Sequence, residues 1–331
     1  MEKRQVMLLT LLTLAAALTV GCGSDSTTPA FTKLPFSSDR QSDPATPIFL
    51  MNLDGSHVTP VAYSGESFFS PTISADLKTI AFVSGSDVWV MKSDGTGSKQ
   101  LTTVGDSSFT FTARISPNGK QILFSVADNT TETIDLRTMN VDGSGQKSVL
   151  ATLPAGIDQG CYTGSFSANS RTVTFACYGT SVGFGLYSAD VAGTNLKTVA
   201  EPQGAFVDTP MFSPDGKKIL FVSSNFGAAS ASKSKFAFSH KHAFRTAAPR
   251  RAIPDGISLQ GVFSVNLDGT GAVLVAANAF EAEILNSTLY YAAWDPDAEF
   301  NQIWKSNVDG TSSVKVSDAT ANDWLNLRID D

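Results

Sequence analysis

The feature that most constrains this chain of 331 residues is a short recurring unit, an alternating apolar strand followed by an Asp-Gly turn. Asp-Gly between two alternating strands is the strongest local signal for a β-hairpin, because a tight primed turn needs positive φ angles. The copies are Ile48–Gly55, Val88–Gly95, Met139–Gly143, Val265–Gly269 and Ile303–Gly310, with a degenerate copy at Leu186–Gly193. The turn glycines follow at intervals of 40, 48, 50, 76 and 41 residues, and such a period built from strands predicts a β-propeller.

A second repeated unit lies out of phase with the first. Its clearest copy is Phe212–Phe221, in which Ser-Pro-Asp-Gly-Lys precedes an apolar strand. Weaker copies are Ile73–Phe82, Ile115–Phe124 and Phe166–Phe175. Two hairpin turns per period give four antiparallel strands, which is one propeller blade.

Together, the two units resemble the repeat of the TolB-like propeller family over roughly residues 44–331. The resemblance implies a propeller without the α/β domain that precedes it in TolB. Such repeats occur in periplasmic scaffolds, in the propeller domains of prolyl-oligopeptidase-like peptidases and in some polysaccharide lyases. We expect no peptidase here, since no hydrolase domain follows the repeats.

Six Asp-Gly-type turns predict an all-β, six-bladed propeller of four-stranded antiparallel blades. About 285 residues follow position 46, and they allow about 42 per blade once the long interval is discounted. The last segment, Asn322–Ile329, alternates apolar and polar residues after the final turn. We predict that it completes the first blade as its innermost strand, which would remove the open edges of a linear array.

The N-terminus has the pattern of an export signal, so residues 1–21 are set apart from the fold. The apolar run Val6–Val20 follows Lys3 and Arg4 and is shorter than a membrane span of about 20 residues. Leu18–Cys22 resembles a bacterial lipobox, which implies lipidation of Cys22; the alternative is a plain secretory signal with an incidental cysteine.

The expected organisation is a signal peptide at 1–21, a lipidated Cys22 with a flexible tether over 22–46, and a propeller over 47–331. A tether of this length would reach roughly 25–30 Å. Since Gly23 rather than aspartate follows the cysteine, the resemblance implies the outer membrane, with the propeller facing the periplasm. The formal net charge of −7 argues against nucleic acid as the main partner.

Cys161 and Cys177 flank the turn at Ser167–Ser170 almost symmetrically. In a hairpin they would lie nearly opposite each other, within reach of a disulfide in an oxidising compartment. The alternative is two buried thiols.

A basic segment at about 224–260 occupies the longest interval between turns. No acidic residue occurs between Asp215 and Asp255, while three phenylalanines are interleaved with the cations. The segment is therefore a candidate contact for an anionic partner, the alternative being a solvated insertion. Its candidate contact residues are Lys233, Lys235, His240, Lys241, His242, Arg245, Arg250 and Arg251.

Metal ligands are sparse. Asp295, Asp297 and Glu299 alternate as calcium-ligating carboxylates can, but the glycine and distal glutamate of a calcium loop are missing, which favours a solvated inter-strand loop. His240 and His242 would share one side of a strand but have no third ligand. We expect no metal and no cofactor.

These patterns favour a monomeric, non-enzymatic, lipid-anchored scaffold of the cell envelope. It would bind a protein or peptide through the propeller loops and central channel. The alternative is a propeller that binds or cleaves an acidic polysaccharide through the basic segment.

Overall fold

The computed structural model describes residues 31–38, 48–61, 68–201, 205–224, 260–317 and 321–325, and all the regular structure in these ranges is β. No helix long and apolar enough to cross a membrane is found in them. The strands are β1 (Lys33–Ser38), β2 (Ile48–Asn52), β3 (Thr59–Pro60), β4 (Phe68–Ile73), β5 (Thr79–Ser84), β6 (Asp87–Lys92), β7 (Lys99–Gln100), β8 (Ser108–Ile115), β9 (Gln121–Asp128), β10 (Thr133–Asn140), β11 (Lys147–Ser148), β12 (Gly160–Phe166), β13 (Thr172–Gly179), β14 (Gly183–Asp190), β15 (Lys197–Ala200), β16 (Phe206–Phe212), β17 (Lys218–Ser224), β18 (Gly261–Asn266), β19 (Val273–Ala277), β20 (Ala279–Leu285), β21 (Thr288–Asp295), β22 (Phe300–Asn307), β23 (Val314–Lys315) and β24 (Asp323–Trp324).

The strands form small antiparallel sheets in a propeller arrangement. Sheet I has the order β24-β1-β2-β3, sheet II contains β4–β7, sheet IV β16–β19 and sheet V β20–β23. Sheet III has eight strands, because its halves β8–β11 and β12–β15 are joined by one parallel bridge between Ile134 and Gly160. The hydrogen bonding thus gives four sheets of four strands and one of eight instead of the six separate blades expected.

The bridge in sheet III depends on a glycine. Gly160 has a φ of 108°, and a Cβ atom there would lie 1.8 Å from the carbonyl oxygen of Ile134. Only a residue without a side chain permits this approach of two backbones. The merging of the two halves is therefore a local backbone contact between otherwise antiparallel units.

Sheet I begins earlier in the chain than predicted. Residues 33–38, expected to be part of the tether, form β1 and pair with β2 from Lys33↔Asn52 to Ser37↔Ile48. The reason is a short apolar alternation, since Leu34 and Phe36 are both fully buried. The tether expected over 22–46 and the propeller boundary at 47 are both wrong for this strand.

The C-terminal strand joins the same sheet. β24 pairs with β1 at Ser37↔Trp324 and Ser38↔Asp323, which is the position predicted for it. Residues 326–329 of the predicted strand lie outside the described residues. The first and last described strands of the chain are thus neighbours, which closes the ring.

Both repeated turns lie on one face of the propeller, here called the motif face. The backbone N–H of Ser93 donates to the carbonyl of Lys78 at 3.1 Å, and Val141 donates to Lys120 at 3.0 Å. The same bond joins Val191 to Arg171 and Leu267 to Lys217. The two out-of-phase sequence units are therefore side by side in space.

The glycines of the Asp-Gly turns also hold neighbouring units together. A Cβ atom on Gly193 would lie 2.0 Å from the carbonyl oxygen of Val149, which belongs to the preceding half of sheet III. A Cβ atom on Gly55 would likewise lie 2.0 Å from the carbonyl oxygen of Val316, so this turn of sheet I packs directly against sheet V. Turn chemistry explains the positive φ of these glycines, and packing between units gives them a second role.

The core consists of apolar side chains packed within and between the sheets. Phe82, Phe124, Phe175 and Phe221, which end the copies of the second sequence unit, are each 0% exposed. They lie on β5, β9, β13 and β17, the second strands of their units. Phe36 on β1 is equally buried, so the repeat extends into sheet I.

Candidate functional site

The inner strands of the propeller are β4, β8, β12, β16, β20 and β24. Along the chain, successive inner strands from β4 to β20 pack against each other. The buried Glu281 of β20 accepts a hydrogen bond from the backbone N–H of Leu325, the residue after β24, at 2.6 Å. Their C-terminal ends surround a cavity of about 90 Å³, here called the channel mouth. Among its lining residues are Phe31, Leu34, Thr72, Arg114, Ser165, Met211, Phe212, Glu283 and Leu325.

A β-bulge in each of the strands β4, β8, β12, β16 and β20 precedes the residues that line the mouth. At three of these bulges a residue other than glycine has a positive φ: Ser70 at 56°, Thr163 at 23° and Thr209 at 42°. Bulges bend strands and redirect side chains, and they are frequent beside functional sites. Here they aim the following residues at the mouth.

An ion pair crosses the mouth. Arg114 of β8 contacts Glu283 of β20, although the two strands belong to sheets III and V. The side chain of Arg114 is 9% exposed and that of Glu283 is 24% exposed. Loss of Glu283 is costly, because it leaves Arg114 as a nearly buried charge without this partner.

A further carboxyl, that of Asp208, lies on β16, the inner strand that packs against β20. Loss of water around Asp208 raises the pKa of its carboxyl, although the hydrogen bond from the backbone N–H of Thr209 and the charge of Arg114 act in the opposite direction. Arg114 is therefore electrostatically coupled to carboxyls from two different strands.

Hydroxyl groups join the inner strands at the same level. Thr72 donates to the carbonyl of Ala113 at 3.3 Å, and its oxygen accepts from the N–H of Ile115 at 3.1 Å. Ser165 donates to the carbonyl of Pro210 at 2.9 Å. Because the hydroxyls of Thr72 and Ser165 are bonded to the backbone, the lining formed by the described residues is mainly apolar. Its charged groups are those of the ion pair between Arg114 and Glu283.

The first described residue reaches this site. The N–H of Phe31 donates to the Asn286 side chain at 2.9 Å, and the amide of Asn286 donates back to the carbonyl of Phe31 at 2.8 Å. Asn286 lies in the turn between β20 and β21 on the motif face. The chain therefore enters the propeller at the channel mouth.

The lipidation site and the basic contacts predicted from sequence are not described. Cys22 and all eight candidates between Lys233 and Arg251 lie outside the described residues. Only the flanking strands β17 and β18 are described, with Ser223 paired to Gly261.

The two remaining cysteines are brought together. Cys161 on β12 is in register with Cys177 on β13, and the two are joined by a disulfide. Both lie in the core of sheet III, 1% and 0% exposed.

The acidic alternation at 295–299 forms a turn. The carboxylate of Asp295 accepts from the ammonium of Lys315 at 2.8 Å and from the N–H of Asp297 at 3.0 Å. The hydrogen bond from Lys315 is the main reason that the pKa of Asp295 is lowered. Within the described ranges, no group of three or more His, Cys, Asp or Glu side chains is placed to hold a metal ion.

A Gly-x-Ser-x-Gly sequence occurs at Gly179–Gly183. The nucleophile elbow of hydrolases with this motif connects a strand to a helix. Here it connects β13 to β14, both strands of one antiparallel sheet. The motif therefore has the context of a hairpin turn.

Arg114 and Glu283 were not predicted from the sequence as site residues. A weak signal was present: Arg114 is a lone cation on an apolar strand, at the register position that Thr72, Ser165 and Met211 occupy in sister strands. Their pairing across 169 positions of sequence had no local signature.

Comparisons with known proteins identify the fold. No protein-family model matches the sequence, and a search of curated proteins also found no match. The structure is similar to that of TolB from Acinetobacter baumannii, with a TM-score of 0.62, 16% identity, and 89% of this chain and 66% of that chain covered. A putative TolB from Agrobacterium tumefaciens gives the same TM-score of 0.62 at 17% identity, covering 89% of this chain and 98% of the other.

An enzyme structure is also similar. Oligogalacturonate lyase from Vibrio parahaemolyticus has a TM-score of 0.53 at 14% identity, covering 86% of this chain and 74% of the lyase. At these identities the likeness concerns the fold alone, a TolB-like β-propeller.

Proposed function

We propose that this chain is a lipid-anchored scaffold of the bacterial cell envelope that binds an extended segment of a partner protein and catalyses no reaction. The observation that carries the proposal is the channel mouth, an apolar cavity crossed by the ion pair of Arg114 and Glu283. Apolar walls with a few fixed polar groups suit the binding of a side chain of a partner.

The proposed architecture is a six-bladed propeller. The supporting observation is that sheet III divides into two antiparallel halves, each with four strands and one Asp-Gly-type turn, joined at a single bridge. Counting each half as a blade gives six units, and the pairing of β24 with β1 closes the ring.

The basic segment at about 224–260 is proposed as a second contact, for an anionic group on the same or another partner. Its cations, Lys233 to Arg251, contrast with the net negative charge of the chain. Electrostatic complementarity of this kind mainly accelerates association and selects among partners.

The proposal is tested by site-specific crosslinking in cells. Phe212, half-buried in the mouth, is replaced by benzoyl-phenylalanine, and the matched control carries the same group at Val314 on the outer rim. We expect a specific adduct from position 212 that is absent from position 314 and decreases in an Arg114→Leu variant. Adducts that are the same from both positions, or absent from position 212, would refute binding at the mouth.

The anchor has its own test. If Cys22 is lipidated, mass spectrometry of the mature protein should detect diacylglycerol on this residue. The protein should also sediment with outer membranes. A Cys22→Ser variant should be released into the soluble periplasmic fraction. A wild-type protein that is soluble and unlipidated would refute the anchoring without bearing on the mouth.

The second candidate function is binding or cleavage of an acidic polysaccharide. Two observations favour it: the basic segment and the similarity in fold to oligogalacturonate lyase. Incubation with oligogalacturonate distinguishes the possibilities, since unsaturated products would indicate a lyase and a thermal shift without turnover would indicate a binding module. A variant lacking residues 225–259 is the control for either result.

A further inference from the structure

We infer that the motif face, with the channel mouth at its centre, is turned towards the anchoring membrane, and that residues 225–259 are attached on the opposite face. The inference rests on the proposed lipidation of Cys22. It adds an orientation in which the mouth and the attachment points of the basic segment lie on opposite sides of the propeller.

The attachment point of the tether is close to the propeller axis. Phe31 lines the channel mouth and is held by two hydrogen bonds to Asn286. Leu34, three residues later, also lines the mouth and is fully buried. The linking chain therefore starts from the centre of the motif face.

The tether is short. Because β1 takes up residues that the sequence had assigned to the tether, eight residues lie between Cys22 and Phe31, which makes nine Cα–Cα steps. Fully extended, nine steps reach at most about 32 Å. A flexible coil of this length would have a root-mean-square span of about 15–18 Å.

This reach does not allow the opposite face to touch the membrane. A path from the axis to the rim crosses three strand spacings, about 14 Å, and an eight-residue strand adds about 26 Å of thickness. The path around the disc is thus about 40 Å, longer than the extended tether. An edge-on arrangement would use nearly the whole average span of about 15–18 Å to cover the distance of about 14 Å to the rim, whereas contact through the motif face needs almost none of it.

The basic segment is attached on the far side. Inner strand β16 runs towards the mouth and ends at Phe212, and β17 runs back antiparallel to it. Ser223 near the end of β17 pairs with Gly261 at the start of β18, so both flanking strand ends lie opposite the mouth. The attachment points of the basic segment are therefore about one strand length, about 26 Å, farther from the membrane than the mouth is.

Charge does not impose this orientation. Exposed cations occupy equivalent inner turns of the motif face at Lys78, Lys120, Arg171 and Lys217. Asp76 and Asp215 of the same turns form ion pairs with Lys78 and Lys217 at 3.6 and 4.0 Å. The outer turns of the same face carry Asp54, Asp94, Asp142, Asp268 and Asp309. Since the two sets oppose each other, the orientation should persist on uncharged lipid.

The test measures the distance of three labels from a bilayer. The purified lipidated protein is placed in phosphatidylcholine vesicles containing a rhodamine-labelled phosphatidylethanolamine acceptor. Single cysteines bear a donor dye at exposed positions of one unit, the first half of sheet III: Lys120→Cys on the motif face, Lys147→Cys on the rim and Thr130→Cys on the opposite face. The native disulfide and the lipid on Cys22 leave no other thiol to label.

We expect energy transfer to decrease in the order Lys120, Lys147, Thr130. Twenty Gly and Ser residues inserted after Ser24 should bring the three efficiencies closer together, because the coil span rises to about 27–32 Å. Transfer at Thr130 equal to or greater than that at Lys120 in the native-length protein would overturn the orientation. Failure of the wild-type protein to bind vesicles would overturn the anchoring instead.

Discussion

The contact between each Asp-Gly turn and the preceding unit predicts a sharp difference between two glycines of similar conformation. Gly193 has a φ of 79° and Gly183 a φ of 82°. A Cβ atom on Gly193 would lie 2.0 Å from the carbonyl oxygen of Val149, whereas one on Gly183 would meet nothing within 4 Å. Alanine at the two positions therefore separates backbone strain from packing between units.

The magnitudes follow from these distances. A positive φ costs an alanine about 1–2 kcal/mol, and the lower entropy of its unfolded chain returns about 0.4–1 kcal/mol. Gly183→Ala should therefore lose at most about 1.5 kcal/mol. Gly193→Ala must also separate the two units, which adds about 1–3 kcal/mol of overpacking.

Urea unfolding followed by tryptophan fluorescence and circular dichroism measures both variants, with equal m-values as the check that one transition is compared. The melting temperature of Gly193→Ala should fall below that of Gly183→Ala by about 2–4 °C per kcal/mol of difference. Gly55 and Gly105 form a second pair, with φ of 91° and 84° and a clash with Val316 only at Gly55. Equal losses within each pair would refute the idea that these turns hold the units together.

Three further predictions concern the mouth, the disulfide and the turns. Arg114→Leu should lose about 2–3 kcal/mol of stability and the double variant with Glu283→Leu should recover most of it, since a lone buried charge costs more than a missing pair; strictly additive losses in urea would contradict the coupling. Replacing Cys161 and Cys177 by serine should cost about 3 kcal/mol, and two reactive thiols in the unreduced, unfolded protein would exclude the disulfide. Hydrogen bonds from the hydroxyl and the N–H of Thr311 lower the pKa of Asp309 in the folded protein. The contribution of Asp309 to the stability of the fold is therefore present above its unfolded pKa and is lost as the pH falls through its lower folded pKa. Asp309→Asn should accordingly flatten the decline of stability below about pH 4, and an unchanged acid titration would count against this role.

Much of the fold was predictable because its signals are local. Asp-Gly with alternating neighbours predicted the hairpins correctly, but the primed turn expected for them was wrong. Gly55, Gly193 and Gly310 have positive φ and the aspartates of these turns do not. With the N–H of Gly55 donating to the carbonyl of Asn52 at 2.9 Å, the turn is a type I turn followed by a glycine bulge. The phenylalanines that close the second unit were equally local signals of the core. The position of the C-terminal strand beside the first sheet followed from the need of a repeat array to bury its edges.

The candidate site was less accessible to sequence reasoning. β1 was missed because its apolar alternation over Lys33–Ser38 is short and lies within a polar stretch, and only burial against sheets I and V gives it a role. The sequence showed the alternating carboxylates at 295–299 but not their partners. Asp295 closes a turn by accepting from the N–H of Asp297, and it also binds Lys315, which lies two strands away in sheet V.

By itself, the sequence determined where most strands and hairpin turns lie, because these depend on φ preferences and on the alternation of neighbouring side chains. The tertiary structure decided which strands share a sheet, where the chain enters the channel mouth and that Arg114 meets Glu283. These depend on contacts between residues far apart in the chain, as at Gly160 and Ile134, where a missing side chain lets two backbones meet. Such contacts form only when separate units pack against each other, and no short stretch of sequence contains both partners.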